Sequence, residues 1–230
     1  MALILCLETS TQICSVALFS GSRRISLEET RQPNAHSARL TLMIEKILKD
    51  SGFSFSDLEA VAISRGPGSY TGLRIGAGVA KGLCYALDIP LISVSTLQAM
   101  AIEAGRILGH PEGTLVVPMI DARRMEVYSA IYTPQGEEIR DIRAEIIHES
   151  SFHERKENLL LCGDGAGKCR GILNHNPRIR FLDDLLASAS HMGGPALSAF
   201  QEKRFESTAY FEPFYLKDFI AGIPHVKGLK

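Results

Sequence analysis

Residues 65–83, RGPGSYTGLRIGAGVAKGL, carry six glycines and one lysine. Glycine-rich loops that lead into a helix can cradle phosphate, so nucleotide chemistry is the first reading. A Walker loop needs GxxxxGK followed by Ser or Thr, and this spacing lacks it. What remains is Gly66, Pro67, Gly68 and Ser69 between a strand and a helix, where backbone N–H groups can meet an anion at the helix start. A second loop, GDGAGK at 163–168, also lacks Walker spacing. Its Gly163, Asp164 and Gly165 read either as a nucleotide loop or as a strand-to-helix turn capped by the aspartate. Two polar turns follow apolar strands: Glu8, Thr9, Ser10 and Thr11, and then Asp121, Ala122, Arg123 and Arg124. The second turn either lines a cleft or lies on the surface. The seven histidines show no metal-ligand spacing. No nucleophile–base set can be assembled from spacing. The five cysteines are scattered without a CxxC pair, which fits reduced thiols in a cytoplasmic protein.

The elements that must position these residues follow from periodicity. Leu3–Leu7, Ile13–Phe19 and Arg24–Thr30 read as a three-stranded meander. The start, MALILCLE, lacks the basic flank and the length of a signal peptide and reads as a buried strand. In His36–Gly52 the residues Leu40, Met43, Ile44, Ile47 and Leu48 fall at helical spacing. Ala60–Ser64 is a strand, Thr71–Leu87 a helix, Pro90–Val94 a strand, and Ser95 caps a helix reaching about Arg106. The second half repeats the order: strands at 114–120, 126–133, 137–147 and 159–162, a helix to Leu173, and a strand at 178–182. Leu185–Phe205 is predicted helical, with Pro195 as a kink or new start. Two α/β lobes are expected, residues 1–106 (βββαβαβα) and a smaller lobe at 107–230.

The glycine-rich helix is apolar or small on most of its circumference. Each interior glycine costs roughly 1 kcal/mol against alanine, so Gly76, Gly78 and Gly82 together cost about 3 kcal/mol that packing must offset. At about 100° per residue, Ile75, Val79, Leu83 and Leu87 form a large apolar stripe beside the small residues Gly72, Gly76, Ala80 and Cys84. Two arrangements fit: burial on every side within the chain, or one face on the sheet and another on a partner helix. Leu42, on the far side of the preceding helix from Leu40, Ile44 and Ile47, tips the balance toward an interface. Net charge is −1, so no overall field draws the chain to nucleic acid or acidic membranes. No apolar run is long enough to span a bilayer.

LETSTQICSVAL (7–18), HSARL (36–40), the glycine run, DIPLISVSTLQAMA (88–101), MIDARRMEVY (119–128) and YLK (215–217) together resemble the TsaB, or YeaZ, family. The resemblance covers the first half fully and the second thinly. It implies an actin-like fold of the Hsp70 and sugar-kinase type, two lobes each with a mixed sheet flanked by helices. It implies a non-catalytic, cytoplasmic subunit in making threonylcarbamoyladenosine on tRNA. The catalytic relative TsaD is the implied partner through the first two helices, with the ATPase TsaE completing the assembly and a homodimer as the other pairing. The implied interface is His36, Leu40, Leu42, Met43 and Ile47 on the first helix, and Tyr70, Thr71, Gly72, Ile75, Gly76, Val79, Ala80 and Leu83 on the second. Gly76→Leu is accordingly expected to block association while the monomer stays folded. TsaD carries a metal-binding HxxxH pair where this chain has Thr96 and Met100, neither able to replace a histidine ligand. TsaB relatives commonly have Asp at the position of Glu8. That departure, and a loop without glycine, favour a hydrogen-bonding role for Glu8 over magnesium binding. No intrinsic cofactor is expected; ATP or ADP at the partner interface is the nucleotide reading. The nucleotide-proximal candidates are Glu8, Thr9, Ser10, Gly66, Gly68, Ser69, Asp121, Arg123, Gly163, Asp164 and Gly165. Phosphate binding needs clustered Lys and Arg, so tRNA is expected to be met only through the complex. The competing readings are a small ATP-dependent kinase of the same fold and a glycoprotease-like peptidase acting on its partner.

Overall fold

The computed structural model describes residues 1–32 and 35–217. Pro33, and His225 among the seven histidines, lie outside these residues. The elements run β1 (Leu3–Glu8), β2 (Cys14–Ser20), β3 (Arg23–Thr30), α1 (Ala35–Asp50), β4 (Ala60–Gly66), α2 (Tyr70–Leu87), β5 (Leu91–Ser95) and α3 (Thr96–Ile107). They continue as β6 (Thr114–Asp121), β7 (Glu126–Tyr132), β8 (Glu138–Ile146), β9 (Asn158–Cys162), α4 (Ala166–Leu173), β10 (Ile179–Leu182) and α5 (Gly193–Gln201). Two five-stranded sheets form, in the orders β3-β2-β1-β4-β5 and β8-β7-β6-β9-β10. In each, three antiparallel strands are followed by two added in parallel. The repeated element order of the two halves is therefore a repeated topology.

β1 and β4 are buried along almost their whole length, which is why they read as continuous apolar runs rather than alternating ones. α1 and α2 cover one face of the first sheet, with Leu40, Ile44, Ile47, Ala77 and Ala80 in that core. On the other face Ile4, Ala62 and Ile92 meet Ala99, Met192, Ala196 and Ala199. α4 covers one face of the second sheet through Ala166, Cys169 and Leu173. α3 lies against its other face, where Leu97, Met100, Ala101 and Ala104 pack on Val116, Ile120 and Ala130. The packing of α3 thus joins the lobes.

One predicted element is corrected. Residues 185–205 are not one helix: a helix does start close to Pro195, as α5, but the residues before it are not part of a helix running from Leu185. Leu185 and Ala187 pack with the second sheet, Ser188 is extended at φ −151°, and Ala189–His191 form a single 3₁₀ turn before α5 starts at Gly193. The segment is apolar because it crosses from one lobe's core to the other's, and helical spacing does not distinguish that from a continuous helix. α5 therefore returns to the first sheet although it follows the second in sequence.

Candidate functional site

Two places collect the candidate residues: the outer surface of α1 and α2, and the turns between the lobes. At α2 the sequence folds locally as expected. Ser69 caps the helix, its Oγ accepting from Gly72 N at 3.2 Å, and Asp88 ends it in the left-handed region at φ 53°.

Which side of α2 faces inward differs from the expected one. A Cβ on Gly72 would lie 2.2 Å from the Thr9 carbonyl oxygen. On Gly76 it would lie 2.2 Å from Thr9 Oγ1 and 2.9 Å from Ile63 Cδ1. On Gly68 it would lie 2.2 Å from the Ser10 carbonyl oxygen. These glycines seat α2 on the β1–β2 turn, at distances no side chain permits. Gly72, Gly76 and Ala80 are therefore interior residues rather than partner-facing ones. The same correction applies on α1 to Leu40, Met43 and Ile47, which fill the core. Gly76→Leu would strike Thr9 and Ile63 and disturb the fold itself.

The outward face is a different set. Gly78 and Gly82 are exposed and have nothing within 4 Å of a built Cβ. Thr71 is exposed beside them, while Tyr70, Ile75, Val79 and Leu83 are half-buried. Leu42 on α1 is 61% exposed. His36 is half-buried beside the carbonyls of Thr11 and Ile13, and burial holds its ring below the ordinary histidine range. It belongs to the base of this surface rather than its crest. Gly78 and Gly82 were visible in sequence only as two more glycines; the signal that separates them from Gly72 and Gly76 is the 3.6-residue helical phase.

Between the lobes, Glu8 is buried and accepts from Ser10 N at 2.7 Å and from Thr96 Oγ1 at 3.1 Å. Burial pushes its carboxyl above the ordinary range, against those hydrogen bonds, which pull it down. Thr9 N donates to Ser64 Oγ at 3.2 Å, and Ser69 N donates to Ser10 O at 2.6 Å. Thr9 and Ser10 are themselves buried. The glycine backbones of the α2 start pack directly on this turn. Glu8, Thr9 and Ser10 are packed residues and do not line an open cleft.

In the second lobe Asp121 N donates to Asp164 Oδ1 at 3.0 Å, and Arg123 N donates to Asp121 Oδ1 at 2.8 Å. Lys168 pairs with Asp121 and also donates to the carbonyls of Arg124 (2.8 Å) and Glu126 (2.6 Å). Burial raises the Asp164 carboxyl. Partial burial works to raise Asp121 as well, but Lys168 and the Arg123 amide together hold it below the ordinary range. Gly163, at φ 99°, would place a Cβ 2.1 Å from the Met119 carbonyl oxygen and 2.8 Å from Met100 Cε. Lys168, passed over in the sequence although it ends GDGAGK, is what fastens this loop to the β6–β7 turn. Thr96 and Met100, four residues apart on α3, serve as a brace: one bonds Glu8 in the first lobe, the other touches Gly163 in the second. Among the described residues no group of three or more His, Cys, Asp or Glu is placed to hold a metal, and no helix is long and apolar enough to cross a membrane.

Residues 30–152 match the family model described as TsaD, tRNA N6-adenosine threonylcarbamoyltransferase. The chain is 35% identical over 231 residues to the tRNA threonylcarbamoyladenosine biosynthesis protein TsaB of Escherichia coli, covering 95% of this chain and 96% of the relative. YeaZ from Pseudomonas aeruginosa superposes with a TM-score of 0.81 at 31% identity, over 94% of this chain and all of that one. Component A of (R)-2-hydroxyglutaryl-CoA dehydratase from Acidaminococcus fermentans superposes with a TM-score of 0.52 at 10% identity, over 88% and 98% of the two chains. That last likeness is one of fold alone, the two-lobed actin-like fold that the paired sheets display.

Proposed function

The chain belongs to the TsaB family, and from that membership we propose that it is a non-catalytic subunit of the assembly that makes threonylcarbamoyladenosine on tRNA, docking on TsaD through the outer surface of α1 and α2. The observation that carries the docking surface is the open pair Gly78 and Gly82 on α2, the helix that also carries half-buried Ile75 and Val79, with Leu42 exposed on α1. Two interior glycines facing water cost about 2 kcal/mol against alanine and return nothing within the monomer. A second helix laid on them recovers that through close backbone approach. The non-catalytic part is supported by what occupies the α3 positions: Thr96 is spent on Glu8 and Met100 on Gly163.

Size-exclusion chromatography of the chain mixed with TsaD at micromolar concentration tests this, run with and without ATP and with TsaE added. Co-elution is expected, and Gly82→Leu is expected to abolish it while leaving the circular dichroism of the isolated chain unchanged and its melting temperature no lower. Separate elution of the wild type, or normal co-elution of Gly82→Leu, removes this surface from the interface. The cytoplasm follows as the site of action from the tRNA substrate class.

A further inference from the structure

At the carboxyl ends of β6 and β9, where α/β sheets commonly hold ligands, Lys168 and Asp164 tie the two turns together. The amino ends of the same strands carry a cavity instead. There Thr114 stands in register with Asn158, and Asn158 N donates to Gly113 O at 3.0 Å. The cavity has a volume of about 240 Å³. Leu108, Pro111 and Leu160 are among its apolar walls, and Thr114, Asn158 and Arg180 are its polar ones.

Arg180 is the residue that its strand does not explain. On β10, Ile179 and Phe181 pack on the α4 side of the sheet and Leu182 on the α3 side. By alternation Arg180 shares the α3 side, in register with Leu160 and through it with Val116, both of them core. Among the described residues its guanidinium has no ion pair and no hydrogen bond, and the side chains of Thr114 and Asn158 have no partner either. Arg180 is also the one charged residue in the cavity wall. Glu112 and Glu157 neighbour wall residues in sequence but do not line the cavity, and Glu157 accepts from Lys156 N at 3.0 Å. The last carbonyls of α3, which would repel an anion near Leu108, are capped. Ala104, Arg106 and Gly105 accept there from the amides of Leu108 (3.2 Å), Gly109 (3.3 Å) and His110 (2.8 Å). An inward-facing charge on an edge strand also deters pairing with another chain. That role requires neither a cavity nor two further unpaired polar side chains beside it.

We propose that this cavity binds a small free carboxylic acid, its carboxylate taken by Arg180 and Asn158 and its apolar body laid on Leu108, Pro111 and Leu160. A guanidinium matches the two oxygens of a carboxylate, and an apolar wall with a few convergent polar groups is the usual make-up of a small-molecule site. A phosphate would satisfy the guanidinium and leave the apolar wall without a contact. A neutral apolar molecule would cover Arg180 and leave its charge unpaired. The volume lies below the roughly 300–1,000 Å³ of sites for drug-sized ligands, which selects a short chain. The inference uses no residue of α1 or α2 and stands independently of the docking surface there.

The test is proton–nitrogen correlation NMR of the full chain, titrated with butanoate, hexanoate and octanoate, and with octanol and octylamine as neutral and cationic controls. Octanoate is expected to shift the amides of Leu108, Thr114, Asn158, Leu160 and Arg180 and to leave those of α1 unmoved. Affinity should rise about fourfold for each methylene buried, until the cavity is full. Arg180→Gln should weaken octanoate by at least about tenfold and bring it level with octanol, as loss of a charge-assisted bond should. Leu108→Ser should flatten the dependence on chain length and keep the preference for the acid. Both side chains are exposed, so each variant should keep the wild-type spectrum away from the cavity. No binding of octanoate, equal binding of octanol or octylamine by the wild type, or wild-type binding by Arg180→Gln overturns the proposal. Shifts scattered over the whole surface overturn it too. The C-terminus of a protein offers the same chemistry, and tighter binding of acetyl-Gly-Ala-Leu than of octanoate overturns the free acid as the ligand.

Discussion

Adding one methyl group at Gly72 and the same methyl at Gly82 should change stability in opposite directions. At Gly72 the new carbon would sit 2.2 Å from the Thr9 carbonyl oxygen, far inside ordinary van der Waals contact. Both atoms are fixed to backbone, so no rotamer change relieves the contact. The Thr9–Ser10 turn is also tied down, by Thr9 N to Ser64 Oγ and by Ser10 N to Glu8. The helix start must lift, which strains the Ser69 cap on the Gly72 amide. Such a cap is worth about 1 kcal/mol. Overpacking adds about 1–3 kcal/mol, and the helix propensity of alanine returns at most about 1 kcal/mol. The net loss is about 1–3 kcal/mol, or a fall in Tm of about 2–12 °C for a chain of this length. Gly82 has nothing within 4 Å of a built Cβ. Gly82→Ala therefore keeps the propensity gain and raises Tm by about 1–4 °C. Thermal unfolding of the isolated chain, followed by circular dichroism at neutral pH, reads both. If Gly72→Ala melts at or above the wild type, or if the two variants shift Tm in the same direction, α2 is not seated on the turn in this way.

The remaining predictions concern the turns and caps. Glu8 has a folded-state pKa raised by burial above its ordinary 4.5, so its contribution to stability is fully present below that value and is lost as pH rises through the folded pKa. Glu8→Gln should flatten this slope, and its urea midpoint relative to the wild type should climb between acid and neutral pH; a constant difference would show that Glu8 does not titrate on folding. Lys168→Met removes the charge-assisted bonds to Asp121 and two carbonyls together. Losing hydrogen bonds from a charged donor should lower stability by about 1.5–3 kcal/mol. Amide exchange should then accelerate around residues 123–126 and not in α1, and uniform protection would argue against that pinning role. Ser95→Ala removes the cap of α3, whose Oγ accepts from Gln98 N at 3.4 Å. It should lower the unfolding free energy by about 1 kcal/mol in urea titration.

Much of the fold was legible because its signals are local. The spacing of Leu40, Ile44, Ile47 and Leu48 fixes the inner face of α1, and the apolar run 3–7 marks a strand buried on both faces. The order of elements in each half then limits the sheet topology to a meander with parallel additions. The failures are all non-local. The crossing at residues 185–192 depends on two cores separated by most of the chain. The tail from Glu206 carries no period at all, since its structure comes from Leu91, Lys81 and Arg65.

The glycines of α2 show why the candidate surface was the hardest part to read. Periodicity sorts Gly72 and Gly76 from Gly78 and Gly82 but does not say which pair faces the protein, because both flanks are apolar or small. What decides it is the β1–β2 turn, whose carbonyls at Thr9 and Ser10 project toward α2 and admit only glycine at positions 68 and 72. A larger residue at either position would push the helix off the sheet and open space beside Glu8. Close seating of α2 and closure of that turn are therefore one structural fact. Gly78 and Gly82, by contrast, are the glycines that α2 leaves open. Because Gly72 seats the helix and Gly82 does not, Gly72→Ala and Gly82→Ala should act independently, and the double variant should shift Tm by the sum of the two single shifts.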